Sequence, residues 1–167
     1  MRLAVMSDTH DQIPNLRRAV AMIRAANCDL IVHCGDFVAP FMLPELDAAE
    51  IPVHAVFGNN DGDRYLLTRN ALTRCRHISL HGMFGRIAVD GRQVAFMHDG
   101  IAAEDIAAGG RYHLVCYGHS HRYEEKRVGN ALVINPGELL GKDDVPGFCI
   151  VDMETFVPRR MVLEQTG

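Results

Sequence analysis

The chain has 167 residues, 48% hydrophobic and 23% charged, with Gly 15 and Pro 7, an ordinary globular composition that excludes disorder, collagen and low-complexity repeats. Lys and Arg number 17 against 21 Asp and Glu, so the net charge is -4 and the surface has no general attraction for nucleic acid or anionic membrane. The cysteine count of 5 is odd, no CxxC occurs, the opening MRLAVMSDTH turns polar too early for a signal peptide, and no run reaches the roughly 18 apolar residues of a membrane span, so the chain reads as a reduced, cytoplasmic protein without a membrane partner.

Arg2 to Ser7 is a short apolar run ending in Asp8-Thr9-His10-Asp11, the pattern of a buried strand that feeds a loop. Pro14 opens a helix in which Leu16, Ala19, Val20, Ile23 and Ala26 recur at spacings of three and four. Asp29 to His33 forms a second strand, broken by Cys34-Gly35-Asp36, and a short helix follows around residues 41–50. Pro52 to Phe57 is a third strand, ending in Gly58-Asn59-Asn60-Asp61-Gly62. Strand, helix, strand, helix, strand is the order of a parallel α/β unit, whose binding edge lies at the strand carboxyl ends.

The second half reads differently. Gly85 to Met97 carries two β-like runs around Asp90-Gly91, a hairpin signal, and ends at His98-Asp99-Gly100. A short helix is expected over 101–108 and a strand over Leu114 to Tyr117, running into Gly118-His119-Ser120-His121. Gly129-Asn130 turns between EEKRV and ALVIN, and 148–153 with 156–163 form a closing pair of strands. With no linker, repeat or composition break, residues 1–167 are expected to form a single domain with a parallel first half and a mixed to antiparallel second half.

Five of these strand-end loops carry potential metal ligands: Asp8 and His10, Asp36, Asn59 in Gly58-Asn59-Asn60-Asp61, His98, and His119 with His121. In extended backbone residues i and i+2 face the same side, so Asp8 and His10 can address one ion, and His119 and His121 one metal site. A Gly before Asp36, Asn59 and His119 lets the chain leave the strand sharply and approach the site closely. Carboxylate, imidazole and amide oxygen without thiolate suit Mn²⁺, Fe²⁺, Zn²⁺, Co²⁺ or Ni²⁺, and so many ligands suit two ions about 3.5–4 Å apart better than one. Each string alone is ordinary turn chemistry; the ordered set is not.

That ordered set, DTH, GD, GNND, a strand-ending His and GHSH, resembles the calcineurin-like metallophosphoesterase superfamily, and the short length with GNND resembles its small bacterial and archaeal phosphodiesterases of the YfcE type. The resemblance implies an α/β fold, a two-sheet β-sandwich flanked by helices in four α-β-β-α layers. It implies that Asp8, His10 and His121 hold a first metal, that Asn59, His98 and His119 hold a second, and that Asp36 bridges them. It further implies catalytic roles for Asp36, Asn59, Asn60 and His98, two divalent ions with manganese foremost, and hydrolysis of a small phosphodiester by a metal-bridging hydroxide. A homo-oligomer, dimer or tetramer, is in keeping with that group.

Two departures stand out. Many family members carry His where this chain has Asn60, and Asn cannot act as a general acid at neutral pH. The strand-ending His is usually followed directly by Gly, whereas Asp99 intervenes here. Asp61 is expected to hold a ligand His through its other ring nitrogen, and His33 and His54 are expected to be structural. Two other readings are a protein-binding scaffold that keeps this fold without its chemistry, as a eukaryotic retromer subunit does, and a metallo-β-lactamase-type hydrolase. The first would be expected to lose ligands, and the HxHxDH string of the second is absent.

Overall fold

The computed structural model describes residues 1–163. Among these described residues, eleven strands form two sheets. In the first, β1 (Arg2–Met6), β2 (Leu30–His33), β3 (Val53–Ala55) and β4 (Ile78–Leu80) run parallel, and β10 (Gly147–Asp152) and β11 (Pro158–Val162) extend the sheet antiparallel on the β1 side. In the second, β6 (Arg92–Met97), β7 (Leu114–Cys116) and β9 (Ala131–Pro136) are parallel, with β5 (Phe84–Val89) and β8 (Tyr123–Val128) antiparallel at the edges.

The pleat assigns the layers. Along β1, Leu3 and Val5 point to one face and Ala4 and Met6 to the other. Leu3 and Val5 meet Val94 and Phe96 of β6, Leu114 and Cys116 of β7, and Leu132 and Ile134 of β9, forming the seam between the sheets. Ala4 and Met6 pack instead beneath α1 (Ile13–Ala25), α2 (Met42–Asp47) and α3 (Arg64–Thr73), against Leu16, Ile23, Leu43, Leu46 and Leu67. The outer face of the second sheet, through Ala95, Met97, Val115 and Val133, is covered by α4 (Ala103–Ala108). The result is the expected four-layer sandwich, helices on sheet on sheet on helix.

Boundaries shift by a few residues at most. Ser7 and Asp29 lie just outside their strands, and Asp29 instead accepts a hydrogen bond from the Arg2 backbone at 2.7 Å. The closing strand starts at Pro158, because the chain turns back through Phe156 with φ 54°. Two elements, α3 and β4, have no counterpart in the sequence pattern. α3 buries Leu67, Asn70 and Ala71 while Tyr65 and Leu72 face solvent, so its apolar residues form no single stripe. Its one local signal is Asp63, whose carboxylate caps the helix by accepting from the Leu66 N–H at 2.8 Å.

Candidate metal centre

Parallel pairing gathers the candidate ligands. β1, β2 and β3 in one sheet and β6, β7 and β9 in the other end on the same side of the sandwich, and each of these six strands feeds a loop that carries a site residue. Backbone hydrogen bonds tie the loops together: Asp8 N–H to Gly35 O at 3.0 Å, His10 N–H to Asp36 O at 3.1 Å, and Gly118 N–H to His98 O at 2.9 Å. The turns are tight enough to force left-handed backbone on Asp8 (φ 54°), His10 (39°), Asp36 (61°), His119 (68°) and His121 (61°). Such conformations cost about 1–3 kcal/mol each in a non-glycine residue and persist where the surroundings over-determine them.

The glycines act as the sequence implies, by close approach. A Cβ on Gly58 would lie 2.0 Å from Oδ1 of Asp36, and one on Gly118 would lie 2.0 Å from Oγ of Ser7 and 2.7 Å from Oδ2 of Asp8.

Asp36 stands at the middle. Its Oδ2 is 3.3 Å from Nε2 of His10 and 3.4 Å from Nε2 of His98. On one side Asp8 Oδ1 faces Nε2 of His10 at 3.6 Å and Nε2 of His121 at 3.3 Å. On the other, Asn59 Oδ1 is 2.8 Å from Nε2 of His98 and 2.9 Å from Nδ1 of His119. The other six expected ligand side chains therefore fall into two groups of three flanking the Asp36 carboxylate. Ligand atoms of Asp8, His10 and His121, and separately of Asp8, Asp36 and His98, lie within 4.8 Å of one another.

The donor set fits a cation. Asp8 Oδ1 and His10 Nε2 are buried and have no hydrogen-bond partner, an arrangement that is costly unless something positive satisfies them. His98 directs Nδ1 at the Cys34 carbonyl, 2.9 Å away, which leaves Nε2 as the lone pair facing Asp36 and Asn59. Burial opposes ionisation of Asp36, but the His10 and His98 imidazoles close to it and the two hydrogen bonds from Asn60 outweigh it and hold the carboxyl far below the usual range. Burial is likewise overcome at Asp8, chiefly by His10 and Ser7. The Asp36 and Asp8 carboxylates in turn raise His10 to about 9, so the cluster holds positive charge by proton or by metal.

Asn60 is turned inward. Its Nδ2 donates to Asp36 Oδ2 at 2.7 Å and its backbone N–H to Asp36 Oδ1 at 2.8 Å, so its amide fixes the central carboxylate. Asp61 corrects an expectation: it holds no histidine. Its carboxylate accepts from the backbone N–H groups of Gly58, Val38 and Asp36 at 2.7, 2.9 and 3.1 Å and locks two ligand loops together. The partner of a candidate ligand histidine, His121, is Glu138, which sequence reasoning missed. It is fully buried, with Oε2 2.7 Å from Nδ1 of His121 and Oε1 accepting from the N–H groups of Asp143 and Asp144. Its signal was available: Asn135-Pro136-Gly137-Glu138 is a sixth polar loop after an apolar run.

The remaining histidines stay outside the centre. His33 stacks on Phe37, His54 meets His81 ring to ring at 2.8 Å, His77 faces Asp47, and His113 accepts from Gln93. Cys34 places its side chain in the seam between the sheets, not among the ligands.

The sequence pattern of the calcineurin-like phosphoesterase superfamily domain matches residues 1–156. The chain belongs to that superfamily. Phosphodiesterase MJ0936 of Methanocaldococcus jannaschii is 34% identical over 98% of this chain and 100% of its own length. The solved structure of an archaeal phosphodiesterase superposes with a TM-score of 0.89 at 33% identity, covering 98% of this chain and 100% of that one. The Vps29 of Chaetomium thermophilum shares the fold, with a TM-score of 0.70 at 15% identity over 98% of this chain and 96% of its own. The expected family, fold class and phosphoester-hydrolase class all stand. Among the described residues, no helix is long and apolar enough to cross a membrane.

Proposed function

We propose that the chain is a binuclear metal-dependent phosphodiesterase, with Asp8, His10 and His121 holding one ion, Asn59, His98 and His119 the other, and Asp36 shared between them. The observation that carries this reading is the position of Asp36 Oδ2, 3.3 Å from a histidine of one group and 3.4 Å from a histidine of the other. Two divalent transition cations, manganese foremost and Zn, Fe, Ni or Co of the same donor preference, would supply a hydroxide nucleophile at neutral pH and neutralise phosphoryl charge.

The protein's own groups do the positioning. Asn60 holds the shared carboxylate through two hydrogen bonds, Glu138 fixes the ring of His121, and Cys34 O fixes that of His98. None of these protonates a departing oxygen, and the His that many relatives carry at position 60 is absent. The site therefore suits diesters whose leaving group departs as a stable anion. A small phosphodiester is the substrate this reading assigns, rather than nucleic acid, given the net charge of -4. The 5 cysteines are all buried and unpaired, which supports a reducing, cytoplasmic location.

A protein-binding scaffold on the same fold would have no use for buried, unpartnered ligand atoms in two groups. EDTA-stripped protein is expected to be inactive on an aryl phosphodiester, with activity restored by Mn²⁺ and poorly by Mg²⁺, since imidazole-rich sites favour the transition ion. Full activity after exhaustive chelation would overturn the proposal.

A further inference from the structure

A cavity of about 320 Å³ opens beside the second ligand group, lined by Asn59, Met83, Met97, His98, Asp99 and His119. The lining combines the amide and imidazole groups of Asn59, His98 and His119 with the two thioethers of Met83 and Met97. Met97 is buried at the end of β6, whereas Met83, just before β5, is 54% exposed. Apolar side-chain surface at the mouth of a polar centre is poorly placed in water and gains by being covered, and thioethers adapt well to the faces and edges of aromatic rings.

Asp99, the residue by which this chain departs from the usual His-Gly order, completes the lining. Its position is fixed from both sides. Its Oδ1 accepts the Ile101 N–H at 2.9 Å. The following Gly100 lies against Tyr117, where an added Cβ would come within 2.4 Å of the ring. A carboxylate held there accepts a hydrogen bond from a donor on the occupant and repels a second anionic group.

We propose that this cavity is the subsite for one ester substituent of the diester, an uncharged aromatic ring. The thioethers pack on the ring, and Asp99 excludes rings that carry negative charge. The inference rests on the phosphodiesterase reading and narrows its substrate class.

Calorimetric binding of a phosphonate series to Mn²⁺-loaded protein tests it, because each probe carries one substituent and the same phosphonate. Phenylphosphonate is expected to bind about 10- to 50-fold more tightly than methylphosphonate, the gain of burying one ring face. Met83→Ala should cut that ratio several-fold. A 3-carboxyphenyl probe should bind more weakly than the phenyl probe, and Asp99→Asn should remove most of that penalty. Equal affinities for phenyl and methyl probes, or ratios indifferent to both substitutions, would overturn the subsite. Failure of every phosphonate to bind, together with no metal-dependent diesterase activity, would instead overturn the underlying reading.

Discussion

Glu138 lies outside the proposed ligand set but against one of its members, His121. With Oε2 2.7 Å from His121 Nδ1, it sits against the ring edge opposite Nε2, which faces Asp8 Oδ1 at 3.3 Å. Its other oxygen is occupied by two backbone N–H groups, so the carboxylate cannot swing away. Partners of this kind are typically worth about 10- to 100-fold in metal affinity. Glu138→Gln must present an amide N–H either to His121 or to those backbone donors, and Glu138→Ala removes the partner altogether. Both are expected to weaken binding of one Mn²⁺ by about 10- to 100-fold while the other site changes little, as read by calorimetric titration of metal-stripped protein. Unchanged affinity at both sites would show that His121 is held by other means.

The strand-end loop is the element that builds the centre, and its glycines are its tightest points. Gly58 leaves no room for a methyl group beside Asp36 Oδ1, and that oxygen is already held by the Asn60 N–H at 2.8 Å. Gly58→Ala should therefore displace the shared carboxylate, with a loss of about 10²-fold in diesterase activity and an unchanged far-ultraviolet circular dichroism spectrum. Near-wild-type activity would mean the loop relaxes without cost. Much of this geometry was legible in the sequence, because apolar runs ending in Gly plus a ligand type, with i and i+2 on one side, define a strand-end site. Glu138 escaped because no His or Asp stands within four residues of it in the sequence, while α3 escaped because Leu72 and Tyr65 break its apolar stripe. The misreading of Asp61 has the same origin: spacing placed it near the ligands, but only the fold shows that its carboxylate faces three backbone N–H groups.

The two sheets are joined by a buried seam with the proposed metal centre at its rim, and buried groups next to that centre contribute to the stability of the sandwich. His33 is one. Its Nδ1 accepts the Gly35 N–H at 3.1 Å, its Nε2 lies 3.3 Å from Thr9 Oγ1, and Thr9 donates to Asp36 O. Burial holds His33 neutral and lowers its pKa to about 3. The unfolded chain protonates this residue near 6.5 and the folded chain does not, so its contribution to stability is lost as pH falls from about 6.5 toward 3, at about 1.4 kcal/mol per pH unit. His33→Asn keeps an acceptor for Gly35 and cannot titrate. Its urea-unfolding free energy should fall less steeply between pH 6 and 4 than that of the wild type, and parallel curves would contradict this account. The most direct measurement is the Mn²⁺ content of dialysed wild-type and Asp36→Ala protein, determined by elemental analysis on folded samples. Wild type should hold two ions per chain and Asp36→Ala one or none; a variant that retained two ions would contradict the shared-carboxylate centre.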